Sequence, residues 1–347
     1  MRKLVLLLGL IFLLAVPAHA AEITAPAAPD AALELMPDET DNFGEGLLFV
    51  LKSAFRTLHP SLLEAVRTCV ALIAVSLLIG ILSEFAGITK EVLNLIGAVT
   101  IAVLLFQPVN ALIKLGTDTV NQISQYGRLL LPVMTGGLAA QGAVTKSSAI
   151  YMATAFFDAL LTTAVSELLI PMVYIFLCVA IGCHLFSQPL LDEIRKFMKW
   201  LMTWGLKIIL YLFTGYIAIT GVVGGTTDAA MLKATKLTIS GMVPVVGNIL
   251  SDASEAVLVG AGMMKNAAGI YGLLVVAALW IGPFLQIGVQ YVMLKVTAGI
   301  VELFGTKQMS GIMKDFSSAM GIVLAMTGTV CLIFMISTVC FMKGVST

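Results

Sequence analysis

Asp158 stands in the middle of an apolar run, Ala155-Phe156-Phe157-Asp158-Ala159-Leu160. An ionised carboxylate is costly in hydrocarbon, so at that depth it faces a partner or water. Two readings fit. The carboxylate lines a pathway or contacts a partner helix, or it is protonated and packed against a hydroxyl on its own face, such as Thr154 or Thr162. Other reactive side chains offer less. Cys178, Cys183 and His184 match no zinc-binding spacing. The five cysteines lie in or beside apolar runs, where a thiol acts as a small hydrophobe rather than as half of a disulfide framework. Past the first residues the histidines are His59 and His184, with no H-E-x-x-H and no nearby His–carboxylate pair. No catalytic residue, cofactor-binding residue or metal ligand is assigned. No cofactor is expected, and the chain is read as not being an enzyme.

A second unusual stretch runs from Gly215 to Gly262. It mixes glycine, small hydroxyl residues, one proline and isolated charges with moderately apolar runs. Its glycines invite a phosphate-loop reading, which fails because there is no G-x-x-x-x-G-K-[ST] and no preceding strand. Small residues here permit close helix–helix approach, interrupt a helix so that backbone lines a cavity, or serve as loop and cap glycines. With Asp158, the candidate pathway or partner-contact residues are Gly221, Gly224, Gly225, Asp228, Gly241, Pro244, Gly247, Asp252 and Glu255.

The elements that carry these residues follow from composition. The chain is 59% hydrophobic and 12% charged, with mean hydropathy +1.02. One soluble core of this size cannot hide so much apolar surface, whereas a bilayer can. The fold class is all-α, a polytopic integral membrane protein of about seven to eight membrane segments, some broken or re-entrant, with amphipathic interfacial helices.

Residues 1–20 read as a cleavable signal peptide: Arg2 and Lys3, then an apolar run, then Ala18-His19-Ala20. Residues 21–46 form an acidic, extracytoplasmic and flexible leader with Pro26, Pro29 and Pro37. Residues 47–65 read as an interfacial amphipathic helix that Pro60 kinks or ends, and 66–347 as the multispan membrane domain. Strong spans are expected at 66–82, 92–113, 148–165, 168–186, 201–223, 270–294 and 320–341. The apolar stretch 129–143, interrupted by Pro132, Gly136 and Gly137, reads as half-membrane or re-entrant. Glu167 falls in the turn expected between two spans. Arg195, Lys196 and Lys199 make the densest basic loop, which the positive-inside rule places in the cytoplasm if 129–143 crosses. The connection 296–316 is then cytoplasmic too, and 224–268, if it is a plain loop, faces outside.

The stretch 215–262 also resembles a known family. Thr220-Gly221-Val222-Val223-Gly224-Gly225, Asp228, Lys233-Ala234-Thr235-Lys236, the run from Ser240 to Gly247 and the run from Leu250 to Glu255 are similar to the stage III sporulation protein AE family of endospore-forming bacteria. Leu130-Leu131-Pro132-Val133-Met134 and the multispan C-terminal half extend the resemblance. It implies a multi-pass mother-cell membrane protein at the engulfed forespore. There it is part of a secretion-like channel complex that supports late forespore gene expression. The implied partners are the other stage III A proteins, including a cytoplasmic ATPase, the forespore stage II sporulation protein Q and the lipid bilayer, with no nucleic acid. The family supplies no catalytic residues. Two alternatives stay open: a stand-alone secondary transporter, for which the interrupted segments and Asp158 speak, and a membrane scaffold without a pore.

Overall fold

The computed structural model describes residues 25–37, 43–85, 90–186, 188–242, 247–304 and 307–342, without the side chains of 84–85, 220–242, 247–265 and 304. The signal peptide read at 1–20 lies outside the described residues. The described elements are helical: α1 (Asp30–Leu33), α2 (Phe43–Thr57), α3 (His59–Phe85), α4 (Lys90–Ala140), α5 (Val144–Thr163), a π-helical turn (Ala164–Leu169), α6 (Ile170–Phe186), α7 (Pro189–Met242), α8 (Gly247–Phe304) and α9 (Lys307–Met342). Long helices are what an apolar solvent demands, because a helix satisfies its backbone polar groups within its own segment. Six helical stretches among the described residues are long and apolar enough to cross a membrane: 59–83, 90–140, 144–186, 189–219, 266–303 and 307–342. The chain is an all-α polytopic membrane protein.

Two sequence expectations change. The stretch 129–143 is not broken at Pro132, for α4 runs on to Ala140 with Pro108 and Pro132 inside it. A proline removes one helical hydrogen bond. Here Pro132 is exposed, while Leu131, Met134 and Leu138 are buried against neighbouring helices and hold the backbone in register. The helix ends at Ala140, and Gly142, with φ of 85°, closes the turn while Ala143 N donates to Leu138 O at 3.3 Å. Likewise the spans expected at 148–165 and 168–186 form one continuous helical stretch. Glu167 occupies the π-helical turn rather than a loop, and it remains exposed. A single wider turn accommodates Ser166-Glu167 without reversing the chain.

Pro60 falls in the first turn of α3, where its missing N–H costs nothing, so α2 ends at Thr57. α2 buries Gly46, Val50 and Ala54 and leaves Leu48 and Phe55 exposed, as suits a helix lying in an interface. Part of the leader is docked rather than free. Ala28, Ala32 and Leu35 are buried, and Leu35 reaches the backbone of α8 at Gly282.

The centre of the molecule is the α8–α9 hairpin. In their most apolar windows 56% and 61% of residues are buried, against 22–39% in the other crossing helices. Ser310 Oγ donates to Ala298 O at 2.9 Å and Ser317 Oγ to Tyr291 O at 3.0 Å, stitching α9 to the antiparallel α8. α4 runs parallel to α9, since Gly97 faces Met309, Gly116 faces Val323 and Gly127 faces Phe334. It is antiparallel to α8, with Leu130 at Gly272 and Met134 at Gly269.

Candidate functional site: carboxylate networks across the bundle

Asp158 is held by three groups from two helices. Ser124 Oγ of α4 donates to Oδ2 at 2.8 Å, and Thr162 Oγ1, one turn along α5, donates to Oδ1 at 3.4 Å. Arg128 Nε lies 3.6 Å from Oδ2. Asp158 is 3% exposed, while the Arg128 side chain is 63% exposed. The carboxylate is thus buried, and its cation reaches it from the surface of the bundle. Ser124 and Arg128 stand one helical turn apart, so a single face of α4 supplies both.

Of the two hydroxyls considered from sequence, Thr162 is the one that reaches Asp158. Thr154 instead donates to Ile150 O at 2.8 Å and lies 2.6 Å from Ser337 Oγ of α9. Arg128 was missed. The signal for it was available in the polar spacing of Asn121, Gln125 and Arg128 along one amphipathic stretch. Asp158→Asn is expected to shift unfolding free energy by less than about 1 kcal/mol, because a largely exposed cation contributes little. Asp158→Leu deprives the buried Ser124 hydroxyl of its acceptor and is expected to cost about 1–3 kcal/mol. Thermal unfolding of the two variants in detergent checks this, and an Asn loss larger than the Leu loss would contradict it.

A second network joins three helices near the α6–α7 connection. Asp315 of α9, 6% exposed, accepts from Arg195 Nη1 of α7 at 2.6 Å to both carboxylate oxygens, and His184 Nε2 of α6 lies 2.8 Å from its Oδ2. Arg195 Nη2 also donates to Asp192 Oδ1 at 2.5 Å. Lys196 Nζ pairs with the far oxygen of Asp192 at 2.8 Å and with Glu193 at 3.0 Å. Burying a charge is tolerable only when it is paired and hydrogen-bonded, and this chain of contacts supplies that. A Cβ on Gly311 would overlap the His184 ring, so α9 carries glycine where α6 approaches it. The network therefore fixes the ends of α6 and α7 against α9. His184, weighed from sequence only as a metal ligand beside Cys178 and Cys183, is engaged with Asp315. Cys183 is buried and Cys178 exposed.

Gly221, Gly224, Gly225, Asp228, Gly241, Pro244, Gly247, Asp252 and Glu255 lie outside the described residues, save that the backbone of all but Pro244 falls within the bounds of α7 and α8.

The sequence model of the stage III sporulation protein AE family matches residues 40–344. The chain belongs to that family. Its function is accordingly in sporulation. The stage III sporulation protein AE of Bacillus subtilis (strain 168) is 19% identical over 225 residues, 65% of this chain and 56% of that protein. The chain thus matches little more than half the length of that relative. No solved structure matches the chain. Both carboxylate networks lie inside the family match.

Proposed function

We propose that this chain is a membrane component of the secretion-like transenvelope channel complex that links mother cell and forespore. It sits in the mother-cell membrane around the engulfed forespore and is required for late forespore gene expression and spore formation. Membership of the sporulation family across residues 40–344 carries the reading. Its partners are the other stage III A proteins, with a cytoplasmic ATPase as the energy source, and the forespore stage II sporulation protein Q. The buried carboxylates of α5 and α9 suit a rigid gate or anchor whose helices keep fixed relative positions, which is the part a multispan core contributes to an assembly. The chain contributes no chemistry of its own in this reading.

A permease reading rested in part on an interrupted segment at 129–143, and α4 is continuous there, which removes that support.

Deletion of the gene is expected to stop development after engulfment, with heat-resistant spores falling by several orders of magnitude. The protein should co-purify with the other stage III A proteins from sporulating cells. Normal spore titres from the deletion strain would sink the proposal. Cysteine-accessibility scanning over residues 215–262 in sporulating cells then separates conduit from scaffold: a conduit has water-accessible positions deep in the membrane, and a scaffold has none.

A further inference from the structure

Between α7, α8 and α9 lies a cleft of about 490 Å³. Four lysines line it, Lys199 and Lys207 from α7, Lys295 from α8 and Lys314 from α9, with no carboxylate in the lining among the described residues. Thr203, Ser317 and Ser318 also line it, their hydroxyls donating to the backbone carbonyls of Lys199, Tyr291 and Lys314. Cations gathered this way repel one another unless an anion joins them.

The lysines are only partly satisfied from within. Lys314 Nζ meets Glu302 at 2.6 Å, just outside the cleft. Lys199 Nζ donates to the neutral Ser318 Oγ at 3.1 Å, and Lys295 Nζ donates to Tyr291 Oη at 3.2 Å. Lys207 is exposed and has no hydrogen bond or ion pair among the described residues. One carboxylate against four ammonium groups leaves a local excess of positive charge.

The wall changes character along α7. Lys207 lies eight residues from Lys199, about 12 Å along the helix. Between and beside these two lysines Leu206, Leu210, Ile322 and Ala325 make part of the lining apolar. On the outer side of this part of α7, Trp200 and Trp204 are 53% and 50% exposed, and their rings lie 6.0 Å apart. Exposed tryptophans mark the level of lipid headgroups. A basic pocket between crossing helices at that level is the arrangement that takes anionic headgroups.

We infer that this cleft binds an anionic phospholipid, its phosphate among Lys199, Lys207, Lys295 and Lys314 and its acyl chains along Leu206, Leu210 and Ile322. The shared chemistry is a phosphate anion. A lipid, rather than a soluble phosphate, is the occupant that also uses the apolar wall and the tryptophan belt. The inference rests on the membrane fold and not on the proposed channel role.

The test uses the full chain, reconstituted in vesicles of phosphatidylcholine with phosphatidylglycerol and then extracted for native mass spectrometry of retained lipid. Phosphatidylglycerol should be retained at least tenfold over phosphatidylcholine. Lys207→Gln combined with Lys295→Gln should abolish that preference, whereas Lys207→Arg and Lys52→Gln, the latter on α2 and not part of the lining, should keep it. Unchanged thermal unfolding of the Gln variant shows that the fold survives. Equal retention of the two lipids by the wild type, or an undiminished preference in the Gln variant, overturns the inference. Saturable binding of inorganic phosphate alone, with the same lysine dependence and no lipid preference, overturns the lipid assignment.

Discussion

Arg195→Leu is expected to lower the stability of the detergent-purified protein by about 3–5 kcal/mol, the usual cost of leaving one member of a buried ion pair without its partner. Asp315 would keep only His184, and its two oxygens now share one arginine nitrogen at 2.6 Å. The paired expectation has the opposite sign. Replacing both residues, Arg195→Leu with Asp315→Leu, should regain most of the loss, because a hydrophobic pair of similar volume often matches a buried ion pair. Unfolding in denaturant of the two singles and the double measures the coupling. A double variant as unstable as the sum of the singles would mean that the two side chains do not act as a pair. The same alleles should rank identically in heat-resistant spore titre if anchoring α6 and α7 to α9 is what the family role needs.

Gly127→Ala should cost about 1–3 kcal/mol through overpacking. The methyl group would fall on the Phe334 ring, which is 1% exposed. Close backbone approach of crossing helices is the reason small residues are favoured at such points. The clash is with a side chain, so it is correctable. Gly127→Ala combined with Phe334→Leu should recover part of the lost melting temperature. Failure to recover would place the strain in the backbone instead. Gly136, beside which a Cβ would meet nothing, supplies the contrast: Gly136→Ala should leave the melting temperature unchanged or slightly raised.

How much of the site was legible depends on the range of the interaction. Asp158 declared itself, because a carboxylate among Phe157, Ala159 and Leu160 breaks the local pattern. Thr162 followed from helical spacing, being four residues on. Ser124 and Arg128 lie 34 and 30 residues upstream, and nothing in a linear pattern says which face of α4 meets α5. Asp315 was passed over for the same reason. It sits between Lys314 and Phe316 in a stretch that reads as an ordinary amphipathic surface, and only the approach of α6 and α7 buries it. Pro132 misled in the other direction. A proline marks a helix end locally, but burial of its neighbours outweighed one missing hydrogen bond.

Class, solvent and family are legible without coordinates. Mean hydropathy, run length and the motifs between Gly215 and Gly262 are local or summed properties, and they survive any arrangement of the helices. They also single out Asp158, a carboxylate that could not be left alone in an apolar run. Which charges share a site depends on how the helices pack. Packing brought Arg195 to Asp315, Arg128 to Asp158 and four lysines from three helices to one cleft. The energy that buries or pairs those groups comes from neighbours tens to more than a hundred residues away, a distance at which periodicity carries no information about contact.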